Sequence, residues 1–134
     1  MGEMQSVLIV DDHPLFRKGM VQLLQTIPGF HLAGEAAGGV DGLALARSLH
    51  PDLLLLDLNM KDMNGIEVLR AVRAEQLDTR VVMITVSDHA DDLVAALRAG
   101  ADGYLLKDME PEAMLAALQE AAAGRIAISE QLTH

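Results

Sequence analysis

The chain has 134 residues, enough for one domain with little left for a second. It contains no cysteine, which excludes disulfides and thiolate metal sites, and its formal net charge of −10 speaks against direct binding to DNA, a process driven by Lys and Arg neutralising phosphates. Hydrophobic residues make up 51% of it and aromatics 2%, so the core must be built from Leu, Val, Ile, Ala and Met. The start, Met1 to Ser6, is polar, and the apolar run Val7 to Val10 is too short for a signal-peptide core or a membrane span. The chain therefore reads as soluble and cytoplasmic.

Apolar, strand-like runs alternate with helical patterns. Val7 to Val10 is a short β-rich run, and Phe16 to Gln25 has helical spacing, with Phe16, Met20, Leu23 and Leu24 on one side. Pro28-Gly29 breaks the chain. Phe30 to Ala33 predicts a weaker strand, and Val40 to Leu49 a helix stopped by Pro51. Leu53 to Leu56 is apolar throughout. Asn64-Gly65 opens a helix to about Glu75, Arg80 to Thr85 is a strand, and Ser87 is expected to cap a helix ending near Gly100. Gly103 to Leu106 is the last strand. Pro111 begins a helix that Gly124 ends, the usual placement of these residues at helix termini. Residues 1–124 are thus one domain, and residues 125–134 are expected to be a tail or the start of a linker.

The βα unit occurs five times, and strands that are apolar throughout mark a parallel sheet covered on both faces. In such sheets ligands bind beyond the carboxyl ends of the strands. Asp11 and Asp12 follow the first run, Asp57 the third, Thr85 ends the fourth and Lys107 follows the fifth; Glu35 ends the second less clearly. Each residue alone is ordinary, since Asp caps helices and Lys is usually solvated. All five at strand ends, in this order, indicate a site.

Two carboxylates about 4 Å apart repel by roughly 4 kcal/mol at an effective dielectric near 20. Three together call for a cation, and hard oxygen ligands without Cys suit Mg²⁺. Zinc is not expected, because the histidines at 13, 31, 50, 89 and 134 show no paired ligand spacing. A carboxylate can act as a nucleophile and form an acyl phosphate, whose charge a metal and Lys would neutralise and to which the Thr85 hydroxyl could bond. His13 reads as a turn residue, Met20, Met83 and Met114 as core filler, and Tyr104 by itself as packing with a wet hydroxyl.

These residues carry a resemblance. Val7-Leu8-Ile9-Val10-Asp11-Asp12-His13-Pro14 resembles the opening of response-regulator receiver domains of the NarL/FixJ type. Leu54-Leu55-Leu56-Asp57-Leu58-Asn59-Met60 is similar to their phosphoacceptor strand, and Thr85 and Gly100 to Asp108 to their switch and lysine segments. The likeness spans about residues 6–130. It implies a flavodoxin-like (βα)5 doubly wound parallel α/β sheet with strand order 2-1-3-4-5. It implies Asp57 as phosphoacceptor for a sensor histidine kinase. Mg²⁺ would be held by the side chains of Asp12 and Asp57, by Asp11 through water and by the Asn59 backbone carbonyl. Lys107 would bind the phosphoryl group, Thr85 would move toward it and Tyr104 would change rotamer. Such a module is not an enzyme beyond its own phosphorylation and dephosphorylation. It forms homodimers on phosphorylation in many members, and it reaches DNA only through a helix-turn-helix domain absent from this chain.

Two positions depart from the family pattern. Lys61 stands where many receivers have Pro, which implies a freer loop, and Asp108 stands where many have Pro after the switch lysine. Three rivals fare worse. An aspartyl phosphatase would have an acid two residues after Asp57, where this chain has Asn59. A flavin carrier would need a hydroxyl- and Gly-rich phosphate loop where Asp11-Asp12 stands, and more aromatics than Phe16, Phe30 and Tyr104. A receiver that signals without phosphate would not need the full residue set.

Overall fold

A computed structural model describes residues 4–132. The chain runs β1 (Gln5–Val10), α1 (Pro14–Gln25), β2 (Phe30–Ala36), α2 (Gly39–Leu49), β3 (Leu53–Asp57), α3 (Gly65–Ala74), β4 (Arg80–Thr85), α4 (Ala90–Arg98), β5 (Gly103–Leu106), α5 (Pro111–Ala122) and β6 (Ala127–Ile128), followed by a 3₁₀ turn, Glu130–Leu132. The sheet order is β2-β1-β3-β4-β5-β6, with every pairing parallel. The doubly wound, flavodoxin-like α/β architecture expected from the sequence is present, extended by a sixth strand.

The continuous apolar runs are explained by burial on both faces. Alternate side chains of each central strand enter different clusters. Leu8, Val10, Leu54, Leu56, Val81 and Met83 pack with Leu43 and Ala46 of α2, with Val68, Leu69 and Val72 of α3 and with Ala96 of α4. Val7, Ile9, Leu53, Leu55, Val82 and Ile84 pack with Met20 and Leu24 of α1 and with Met114, Leu118 and Ala121 of α5. Truncating any of these Leu residues to Ala would cost about 2–5 kcal/mol. Asp57 closes β3 inside this apolar surround, and so sits on a rigid base.

Local signals set most boundaries. Pro14 and Pro111 occupy the first turns of α1 and α5. The Asn64 side chain caps α3 by accepting from Glu67 N at 2.9 Å. Three expectations need correction. The helix after β4 starts at Ala90 with His89 as its N-cap, so Ser87 is not the cap; its hydroxyl instead donates to the carboxylate of Asp92. The second strand is longer than the apolar run and reaches Ala36. The segment expected as a tail folds back, and Ala127 and Ile128 pair with Gly103 and Tyr104 of β5. Gly103 permits this approach, since a Cβ there would lie 2.8 Å from the Ala127 carbonyl oxygen. Ser129 completes the seam: its N–H donates to Tyr104 O at 3.1 Å and its hydroxyl accepts from Leu106 N at 2.9 Å.

Candidate functional site

The turn after β1 and the ends of β3 and β5 bring Asp11, Asp12, Asp57 and Lys107 together. The Lys107 ammonium lies 2.9 Å from Asp11 Oδ2 and 3.5 Å from Asp57 Oδ2, so its closer partner is Asp11. The ammonium also lies over the Phe16 ring, with Nζ 4.7 Å from the ring centroid. Asp11 and Asp57 are both buried. Asp57 Oδ2 and Asp12 Oδ1 are buried acceptors that receive no hydrogen bond. Burial, and then the charge of Asp11, push the Asp57 carboxyl up to about 6; Lys107 and the Asn59 amide oppose this, and Asp12 adds to it.

Buried carboxylate oxygens without a hydrogen bond want a cation. The donors are oxygens of Asp11, Asp12 and Asp57, which is the chemistry that suits Mg²⁺, so the residues present fit that ion. Asn59 is exposed, two residues past Asp57 in the loop from β3 to α3.

Thr85 and Tyr104 are at the same sheet edge but do not touch the acids. Thr85 is fully buried, and its hydroxyl accepts from Ser87 N at 3.1 Å. Tyr104 is also fully buried, its hydroxyl donating to Ser87 O at 3.0 Å. Burial pushes the Tyr104 hydroxyl above its ordinary value. Tyr104 is thus a core residue with a satisfied hydroxyl, not one with a wet end. Ser87 joins the two, one residue bonding Thr85 through its N–H and Tyr104 through its C=O, while its side chain reaches Asp92 on α4. Glu35 lies outside the cluster: it pairs with Arg17 at 3.3 Å, and Arg17 in turn donates to the Asp11 carbonyl.

Two residues of the site were missed in the sequence. His13, read as a turn residue, turns its ring into the pocket, with Nδ1 3.1 Å from Asp11 Oδ1, 3.4 Å from Asp12 Oδ1 and 3.6 Å from Asp57 Oδ2. Nδ1 is also 3.0 Å from Lys107 Nζ, and it donates to Asp11 or accepts from Lys107 according to its tautomer. Asp62 is the other. Its carboxylate accepts from Gly39 N at 3.0 Å and Val40 N at 3.1 Å, which holds its carboxyl below the ordinary value. The loop with Lys61 in place of Pro is therefore not free but tethered to the start of α2. Its base is closed by Gly65 N donating to Leu58 O at 2.8 Å. A Cβ on Gly65 would lie 2.4 Å from the Asp57 carbonyl oxygen, so only glycine lets α3 begin this close. The Lys107–Asp108 bond is trans, so Asp108 replaces Pro without a cis geometry.

A parallel five-βα sheet with an acid triad and a lysine at its carboxyl edge defines the receiver class of signalling modules. The family model for the response regulator receiver domain matches residues 7–119, and the chain belongs to that family. Among individual proteins it is 53% identical over 131 residues to the nitrate/nitrite response regulator protein NarL of Escherichia coli (strain K12), which covers 98% of this chain and 61% of that protein. It is 46% identical over 126 residues to the nitrate/nitrite response regulator protein NarP of the same strain, covering 94% and 59%. The signal receiver domain of the putative response regulator NarL from Mycobacterium tuberculosis superposes with a TM-score of 0.88 at 40% identity, covering 92% of this chain and 99% of that one. The chain thus spans about three fifths of the length of these curated relatives. Among the described residues, no helix is long and apolar enough to cross a membrane.

Proposed function

We propose that Asp57 accepts a phosphoryl group from a sensor histidine kinase. The observation that carries this is Asp57 Oδ2: a buried oxygen with no hydrogen bond, beside the Lys107 ammonium and facing two further acids. Mg²⁺ would be held by Asp12 and Asp57, by Asp11 through water and by the Asn59 carbonyl; bound there, it would screen the acids and neutralise charge on the transferred group. In the transfer, a bond forms from an Asp57 oxygen to phosphorus and the bond from phosphorus to the kinase imidazole nitrogen breaks. Burial and the charge of Asp11 raise the Asp57 carboxyl, and a cation bound beside it would favour its ionised form. Lys107 lies between Asp11 and Asp57 and can follow the negative charge from carboxylate to phosphoryl oxygen.

Signalling would pass through Thr85, whose hydroxyl leaves Ser87 N to bond the phosphoryl group. That frees the Ser87 N–H, on the same residue whose carbonyl is the partner of Tyr104. The output is transcription, through a DNA-binding domain beyond residues 125–134, with homodimer formation on phosphorylation and action in the cytoplasm. The chain's own catalysis is limited to gaining and losing its phosphoryl group.

Incubation with acetyl phosphate and Mg²⁺, followed by intact mass measurement, tests the site. The wild-type chain should gain one phosphoryl mass and Asp57→Asn none. Uptake by Asp57→Asn would refute the assignment.

A further inference from the structure

The His13 ring is not accounted for by phosphotransfer. It makes no side-chain cap for α1, although His13 occupies the N-cap position. It is 60% exposed and so is not held there as core packing. Its Nδ1 nevertheless faces one carboxylate oxygen from each of the three acids.

The spacing of these atoms has a chemical meaning. For metal bonds of about 2.0–2.1 Å, as zinc makes to nitrogen and oxygen, neighbouring ligands of a tetrahedral site lie about 3.3–3.4 Å apart. The three Nδ1 separations, 3.1, 3.4 and 3.6 Å, bracket that edge length. All four donor atoms lie within 4.8 Å of one another. Two of the oxygens, on Asp12 and Asp57, receive no hydrogen bond, and Asp57 is 97% buried. Lys107 takes the other oxygen of Asp11, Oδ2, and lies 3.0 Å from the ring Nδ1, while Oδ1 accepts the His13 backbone N–H at 2.8 Å and keeps a further lone pair toward the ring. Three carboxylates and one ammonium carry two net negative charges, which one divalent ion neutralises.

We propose that His13 turns the acidic pocket into a one-nitrogen, three-oxygen site for a zinc-class ion (Zn²⁺, Co²⁺ or Ni²⁺) that competes with Mg²⁺. The proposal rests on the reading of the pocket as a cation site and specifies what His13 adds to it. Mg²⁺ favours an all-oxygen shell with several waters, and imidazole favours the later first-row ions. The two classes would also act differently. Four protein ligands close a tetrahedral site, so the zinc-class ion offers no position to a phosphoryl oxygen and holds Asp57 out of reaction. His13 is then a selectivity residue that makes receiver activity sensitive to the balance of divalent ions.

Calorimetric titration of the 134-residue chain with Mg²⁺ and with Co²⁺ tests this, with visible absorption reporting the cobalt geometry. Wild type should bind Co²⁺ more tightly than Mg²⁺ and show the intense visible bands of tetrahedral cobalt. His13→Ala and His13→Asn should each lose at least about tenfold in Co²⁺ affinity, together with those bands, while Mg²⁺ affinity changes less than about twofold. Unchanged Co²⁺ affinity in both variants would overturn the proposal, as would equal losses for the two ions. A wild-type chain that binds Mg²⁺ but not Co²⁺ would overturn it and leave the cation site standing. A chain that binds neither would overturn both.

Discussion

The two edges of the sheet treat their polar side chains in opposite ways. At the amino edge, among the described residues, no buried side-chain polar atom is left without a partner. Arg73 donates to the carbonyls of Thr79 and Gly100 and to Asp102, which also accepts from Val81 N. The Thr79 hydroxyl donates to Pro51 O, and Asp52 accepts from both N and Oγ of Ser6. At the carboxyl edge three acids crowd together, two of their oxygens receive no hydrogen bond, and one carboxyl is displaced to about 6. Paired groups gather at one end and unpaired ones at the other, on the same sheet. Orphaned groups are retained where a ligand will answer them.

Mutation at each edge should break this contrast in opposite directions. The largest effect belongs to Arg73→Ala, which takes the charged partner from Asp102 and a donor from two carbonyls. Urea denaturation should show a loss of about 3 kcal/mol, while phosphoryl uptake below the melting range stays intact.

The reverse holds for Asp57→Asn. A carboxyl whose folded value lies above its unfolded one favours the native state below about 4, and that advantage is lost as pH rises through about 6. With chelator present, Asp57→Asn should therefore exceed wild type in stability at pH 8, by about 2–3 kcal/mol at most. The gap should close as pH falls toward 4. A gap that does not depend on pH would mean that the Asp57 charge is not the cost.

Smallest is Asp62→Ala, at the rim of the reactive edge. Global stability should change little because the carboxylate is exposed. Hydrogen exchange at Gly39 and Val40 should quicken, and Mg²⁺ should bind several-fold more weakly as the Asn59 loop loosens. Unchanged Mg²⁺ affinity would confine Asp62 to capping α2.

What could be read from the sequence follows the same division. Asp11, Asp12, Asp57 and Lys107 stand directly after apolar runs, and burial of a strand on both faces leaves a continuous signal that points at its own end. His13 and Asp62 lack such a pointer. The imidazole matters because three separate segments meet around it, and Asp62 because the N-terminus of α2 happens to lie across from its loop; neither relation has a fixed spacing along the chain. Ser87 was recognised as a helix-start residue, yet its hydroxyl found Asp92 rather than the helix backbone. The sixth strand was missed because two paired residues leave no period, and it depends on Gly103 lacking a side chain.

That short strand bears on how the protein behaves in a crowd. An open parallel sheet ends in a row of unsatisfied donors and acceptors, a template on which another chain can build. Here the outer side of β5 is occupied: Ala127 and Ile128 pair with it, and Ser129 takes both the Tyr104 carbonyl and the Leu106 amide. The outer side of Gly103 and Tyr104 is thereby taken from any strand that could add there. At this side, an approaching chain meets a two-residue strand in place of the full length of β5.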